Sequence, residues 1–308
     1  MNVEYAILVK KKTRLETLIE RFNTQAQAKF YIEHSGGDFA DYEREHAQFH
    51  DSLASVQRQL SRVIKNKIVE QNFLPAFLFN DKQLVIVVGQ DGLVANTAKY
   101  VNGIPIIAVN PDFARYDGVL LPFTPDTFIY AVQDILSGKL HTKIATLAEA
   151  KLIDGQRLLA FNDLFIGAAS HISARYLIKY NQQEEEQSSS GIIVSTQAGS
   201  TGWLSSVFNM SYGIQQFIEA QPHEKPAAQL AADQLMFAVR EPFQSKKTQT
   251  NVVAGILTAQ TQLVLQSLMP VNGVIFSDGI ESDFLHFNSG AVATIGIAKE
   301  QAALVTFE

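Results

Sequence analysis

The chain has 308 residues, 25 basic and 31 acidic side chains, a formal net charge of −6 and no cysteine. That length predicts two domains of about 150 residues each, and a hydrophobic fraction of 46% supplies ordinary cores and argues against disorder. The negative balance leaves no footprint for a nucleic-acid partner, the missing cysteines exclude disulfides and zinc–thiolate sites, and no run reaches the ~18 apolar residues of a membrane span.

The opening run Tyr5 to Val9 precedes its basic residues, from Lys10 on, which reverses the order of a secretory signal. With the absence of cysteine, this predicts a cytoplasmic protein and no membrane partner. Tyr5 to Lys10 reads as a strand, and Leu15, Leu18, Ile19 and Phe22 fall on one face of a helix from Thr13 to Phe22. Phe49, Leu53, Val56, Leu60 and Val63 repeat at intervals of four and three, predicting a long amphipathic helix between Asp41 and Ile64. His46 and His50 lie one turn apart in it; a solvated helix flank is the expectation, and no metal site is assigned.

Leu84 to Val88 is a continuous β-branched run that ends in Gly89-Gln90-Asp91-Gly92, as a central parallel strand does. A helix from Leu93 to Tyr100, a stop at Asn102-Gly103 and the strand Pro105 to Val109 complete a βαβ unit. Thr124 as N-cap and Pro125 at the first helical position start a further helix to about Ser137. From Lys143 the pattern turns to short strands: Lys143 to Ile153, Arg157 to Phe161, His171 to Tyr180, Ile192 to Ser195, Leu235 to Arg240, Val252 to Leu257, Gln262 to Leu268, Val274 to Phe276, Ala291 to Ile297 and Ala303 to Phe307. One helix, Trp203 to Ala220, stands among them, and the polar stretch Asn181 to Ser190 reads as a solvated hairpin loop. There is no internal repeat. The expected architecture is therefore an N-terminal α/β domain with a Rossmann-like parallel sheet, residues 1–141, and a C-terminal β-sandwich-like domain, residues 142–308, with a ligand cleft between them.

Three groups of residues can carry chemistry. Gly89 to Gly92 lies at a strand's carboxyl end and a helix start, where glycines admit close approach and amides favour an anion; a tight turn capped by Asp91 explains it equally well. Ser195 to Trp203 sets hydroxyls and two glycines at a second strand-to-helix turn, either a phosphate or ribose cradle or a Ser/Thr-rich cap. Asn162-Asp163 places an amide and a carboxylate between apolar stretches, where both need partners.

In this order the three groups resemble the NAD kinase family, whose members carry Gly-Gly-Asp-Gly-Thr, then Asn-Glu, then a Ser-Thr-Pro-Thr-Gly-Ser-Thr-Ala-Tyr type stretch. Pro105 to Asn110 and Asp278-Gly279 are similar to two further strand ends of that family, and the likeness runs from about Leu84 to the C-terminus. Gln90 stands at the family's second Gly, Leu93 at its Thr, Asp163 at its Glu and Trp203 at its Tyr; Ser190 stands near an acidic position and Phe243 near a His. The resemblance implies Asp91 as the residue that activates a ribose 2′-hydroxyl, and Gly89, Gly92, Asn110, Asn162, Asp163, Thr196, Gly199, Ser200, Thr201, Trp203 and Ser206 as nucleotide-binding residues. It implies phosphoryl transfer from ATP, with Mg2+, to NAD as substrate, and a homodimer or homotetramer. A non-catalytic nucleotide-binding protein on the same fold, motivated by Gln90 and Leu93, and a kinase of another hydroxyl, in a sugar or lipid head group, remain the alternatives.

Overall fold

The computed structural model describes residues 3–219 and 229–307. Its contacts divide the chain into two units, Met1–Ile144 with Ala303–Glu308, and Ala145–Ala302.

The first unit is built on β1 (Tyr5–Lys10), α1 (Arg14–Phe22), α2 (Gln25–His34), α3 (Phe39–Leu60), β2 (Asn66–Glu70), β3 (Gln83–Val88), α4 (Asp91–Ala98), β4 (Ile106–Val109) and α5 (Phe128–Leu136). Its strands run parallel in the order β2-β1-β3-β4. Every residue of β3 is buried, as the unbroken apolar run requires of a strand covered on both faces. Phe49, Leu53, Val56 and Leu60 of α3 and Phe128, Val132 and Ile135 of α5 pack with Leu8, Leu84, Ile86 and Val88 in one core. The α5 assignment starts later than Thr124, yet the Thr124 hydroxyl accepts from the Asp126 and Thr127 amides, both at 3.1 Å, so its capping acts on the turn before the helix.

The second unit contains β5 (Thr142–Leu152) from Ala145 on, β6 (Arg157–Ala160), β7 (Asp163–Ala168), β8 (Ala174–Tyr180), β9 (Gln183–Ser189), β10 (Ile192–Ser195), α6 (Trp203–Glu219), β11 (Leu235–Val239), β12 (Ala254–Leu257), β13 (Leu263–Ser267), β14 (Gly273–Ser277), β15 (Ile280–His286) and β16 (Val292–Val305) as far as Ala302. One sheet runs β12-β11-β10-β7-β14-β15, and each strand is antiparallel to its neighbours. The other carries β16-β13-β8-β9, with β5 pairing β16 and β6. Ile166, Val194, Phe237 and Ile275 from the first sheet meet Tyr176, Ile178, Leu265 and Ile295 from the second in a shared core. This is a β-sandwich in which alternate residues of each strand face inward. The chain therefore has the expected mixed class, an α/β unit and a β-rich unit.

Several elements depart from the sequence pattern. Asn181 to Ser190 is not a solvated loop: only Asn181, at φ 55°, and Gln182 make the turn, and β9 pairs with β8 along its full length. Glu185, Gln187 and Ser189 of β9 are buried; their polar side chains hid a period-two strand. The helix α2, capped by Thr24, buries only Ala28, and the edge strands β2 and β15 bury one residue each, so none has an apolar face to read. The strands expected over Ala291 to Ile297 and Ala303 to Phe307 are one strand, β16, in which Glu300 is held by Arg157 at 2.7 and 2.8 Å. The helix expected to reach Ala220 is α6, and Ala220 lies outside the described residues.

Candidate functional site

In the first unit, the chain leaves β1 to form β2 on one side and then β3 and β4 on the other, so the strand order switches direction between β1 and β3. Open α/β sheets bind ligands beyond the carboxyl ends of strands at such a point. Gly89 to Gly92 follows the carboxyl end of β3. Asp91 is the first residue of α4 rather than its N-cap, which is Gln90. Its Oδ1 accepts from the Leu120 amide at 2.7 Å and its Oδ2 from the Val119 amide at 3.3 Å, so the carboxylate is oriented by the loop after β4 and keeps lone pairs for a further donor.

Gly89 is explained by packing. A Cβ there would stand 2.8 Å from the Leu93 side chain, and the Gly89 amide donates to the Val109 carbonyl at 3.2 Å. Gly92 has open space around it. Asn110 is fully buried; its Nδ2 donates to the Tyr116 carbonyl and its Oδ1 accepts from the Asp112 amide, both at 3.0 Å. Both ends of that side chain shape the loop from Asn110 to Tyr116, and neither is left to face a ligand.

In the second unit, Asn162-Asp163 and the Ser195–Trp203 turn are brought together because β7 and β10 pair, with Ser195 opposite Asp163. Thr196 is buried: its hydroxyl donates to the Phe161 carbonyl at 2.6 Å and accepts from the Gly199 amide at 3.2 Å. Gly199 is required there, since a Cβ would lie 2.2 Å from the Asn162 carbonyl oxygen. The Ser200 hydroxyl closes the turn onto the Gln197 carbonyl at 2.7 Å, while Thr201 and Ser206 are exposed. Trp203 stacks on Phe165 at 5.6 Å and 8°, and the Arg240 guanidinium stands 5.3 Å from its ring centre. Phe165, Trp203, Arg240, Ser190, Phe276 and Glu281 help to line a cavity of about 610 Å³, within the range of small-molecule sites.

Asp278, which sequence reading left out of the site, organises this region. It and Gly279 both have positive φ, 53° and 68°, in the two-residue turn between β14 and β15. The Asp278 carboxylate accepts from the backbone amides of Phe161 at 3.0 Å, Asn162 at 2.6 Å and Asp163 at 3.4 Å. The Asp-Gly pair was the available signal. Arg240 and the cavity had none, because they depend on which strands become neighbours.

Two buried carboxylates now separate by environment. Glu185 accepts from the Asn251 amide, the Asn251 side chain and the Val252 amide, each at 3.0 Å. Burial works to raise its pKa, and these donors hold it below the usual range. Asp163 is 8% exposed and, among the described residues, its carboxylate receives no hydrogen bond. Burial first, and the Asp278 charge second, push it up to about 7. A desolvated carboxylate without donors is an acceptor suited to hydroxyl groups of a ligand.

The two sheet types define the class of fold: an α/β unit with a parallel sheet and a β-sandwich unit. Two solved structures share it: yeast NADH kinase complexed with NADH, with a TM-score of 0.58, 14% identity and coverage of 100% of this chain and 85% of that one, and an NAD kinase from Archaeoglobus fulgidus in complex with ATP, with a TM-score of 0.56, 13% identity and coverage of 99% and 94%. By sequence, the chain is 30% identical to an NAD kinase of Saccharophagus degradans over 126 residues, 39% of this chain and 42% of that protein. It is 28% identical to one of Buchnera aphidicola over 163 residues, 48% and 55% of the two chains. An NAD kinase of Chlorobaculum tepidum matches at 26% over 121 residues, 38% and 42% of the two. The chain spans about half the length of these curated relatives. No family model matches it. The chain is thus similar in sequence to NAD kinases over part of its length, and in fold to two NAD(H) kinase structures over nearly all of it. Among the described residues no helix is long and apolar enough to cross a membrane.

Proposed function

We propose that the chain transfers the γ-phosphoryl group of ATP, taken up as its magnesium complex, to the 2′-hydroxyl of the adenosine ribose of NAD, giving NADP. The observation that carries this reading is Asp163. A buried carboxylate with no donor of its own, beside the Asn162 amide at a strand end, is matched by the hydroxyls of a ribose. The names of the curated relatives support the same acceptor.

In this reading Asp91 takes the proton of the 2′-hydroxyl as its oxygen attacks the γ-phosphorus and ADP leaves; the Leu120 and Val119 amides keep the base oriented. Positioning and charge neutralisation by the magnesium that enters with ATP carry most of the remaining acceleration. Asn162 and Asp163 hold the dinucleotide, Gly199, Ser200 and Thr196 set the turn that presents Thr201 and Ser206, and Trp203 offers aromatic surface. Asn110 and Gly89 act through the loop and helix that they pack. Assembly as a homodimer or homotetramer in the cytoplasm belongs to the same proposal.

One observation favours a second reading, a nucleotide-binding protein without transfer activity. Leu93 fills the space above Gly89, and the Gly89 amide is taken by Val109, so this turn presents less free backbone than a phosphate cradle does.

The deciding experiment incubates the protein with NAD, ATP and magnesium and detects NADP with an NADP-specific dehydrogenase. NADP formation that falls by roughly 10²-fold or more in Asp91→Asn establishes the transfer and its base. Full activity in Asp91→Asn overturns the base assignment. Saturable NAD binding by calorimetry without NADP selects the binding protein, and neither product nor binding selects another hydroxyl acceptor.

A further inference from the structure

We propose that Glu16, His46 and His50 form a binding site for a divalent ion of the zinc class, tying α1 to α3 in the first unit. The solvated flank expected for the two histidines is incomplete, because a third donor arrives from another helix. One ligand atom from each of the three side chains lies within 4.8 Å of the others. His46 and His50 are one turn apart on α3, with ring centres 4.3 Å apart, and Glu16 stands in the first turn of α1.

The outer atoms of the cluster are already anchored. Glu16 Oε2 accepts from the Thr13 amide at 2.7 Å, which leaves Oε1, 3.1 Å from His50 Nε2, facing the cluster. His46 Nδ1 is 2.9 Å from the Thr13 hydroxyl, so Nε2 is the nitrogen left for a ligand bond. Imidazoles that bind metals are oriented through the second ring nitrogen in this way. Thr13, through the capping box of α1, fixes two of the three donors.

Tetrahedral zinc with bonds of ~2.0–2.1 Å places its donors about 3.3 Å apart, so side-chain shifts of about an ångström complete the site with both helices in place. Two imidazoles and one carboxylate suit zinc-class ions rather than magnesium or calcium, which prefer all-oxygen sets. Lys10 stands 3.7 Å from Glu16 and 3.2 Å from Glu70, so it keeps Glu70 as counter-ion when a metal takes the Glu16 oxygen. Arg14 is engaged by Glu45 and Asp41. The side chains of His50 and Glu16 are 37% and 25% exposed, enough for an ion to enter from solvent. Ala47 follows His46 where helical zinc proteases of the His-Glu-x-x-His type have their general base, so the site is structural rather than hydrolytic.

The test strips the full chain with a chelator and titrates it with zinc chloride against a chromogenic zinc indicator. Wild type takes up one equivalent, its melting temperature rises with zinc, and millimolar magnesium does not compete. Glu16→Gln, which keeps an oxygen for the Thr13 amide, and His50→Gln, at an exposed position, each weaken binding by roughly tenfold or more. In chelator both variants melt with wild type. Cobalt replacing zinc gives the visible bands of a tetrahedral site in wild type and not in His46→Ala/His50→Ala. Absence of stoichiometric zinc binding in wild type, or equal affinity in Glu16→Gln and His50→Gln, overturns the proposal.

Discussion

Asp163 and Glu185 are the same kind of group in two circumstances. Each is buried, but Glu185 has backbone and amide donors from the segment at Asn251 and Val252, whereas Asp163 feels the Asp278 charge and has no donor among the described residues. The raised Asp163 value has a definite sign in stability. The unfolded chain releases this proton near pH 4, and the folded protein keeps it to about 7. The folded state therefore binds more protons across that window, and stability falls as pH rises from ~4 to ~7, then levels. Asp163→Asn removes the effect. Urea unfolding should show the variant more stable than wild type at pH 8 by on the order of 2–4 kcal/mol and little different at pH 4. Hydroxyl donors from a ribose favour the ionised form, so calorimetry should find NAD affinity of wild type rising with pH through ~7 and that of Asp163→Asn weak and flat. A variant that is no more stable at pH 8 contradicts the environment described for Asp163.

Strand ends, rather than strands, set the geometry of the second unit's site. The β7–β10 pairing puts Asn162-Asp163 beside the Thr196–Gly199 turn, and the β14–β15 turn supplies the carboxylate that closes the group from the other edge. Asp278 and Asn162 are 116 residues apart in sequence. Asp278→Ala leaves the Phe161, Asn162 and Asp163 amides without their acceptor, at about 1–3 kcal/mol for each group that water cannot reach. A loss of about 2–4 kcal/mol in thermal unfolding, with weaker NAD binding, is expected; a loss below ~1 kcal/mol would show that the strand ends are held without it. At this scale legibility followed burial. The β3 run and the α3 stripe were legible because each has a local pattern: unbroken apolar residues, or intervals of four and three. α2, β2 and β15 bury too little to write a period into the sequence, and β9 buries polar residues whose partners lie on the segment after β11.

For the whole molecule, the first unit is not a continuous stretch of chain. Ala303–Glu308 belongs to it: Leu304 pairs with Ile106 in parallel, Val305 is buried in the core beneath α3 and α5, and Phe307 packs on Phe123 with ring centres 4.5 Å apart. A chain stopped after Ala302 loses those contacts, and burial of large apolar side chains at about 1.5–3 kcal/mol each makes the expected loss several kcal/mol. Urea titration followed by far-UV circular dichroism should show that truncated chain unfolding at lower denaturant; an unchanged midpoint would mean that the terminal strand adds nothing to the first unit. The sequence alone determined the α/β-then-β character, the βαβ unit, the order of Gly89–Gly92, Asn162-Asp163 and Ser195–Trp203, and hence the family likeness, because strand and helix periods and turn residues act over a few neighbouring positions. Only the tertiary structure decided that Asp163 lacks donors while Glu185 has them, that Asp278 gathers three amides, that Leu93 occupies the space at Gly89, and that Glu16 meets two histidines from another helix. The state of a buried charge is set by the donors and dielectric that distant segments bring to it, and no local pattern records those.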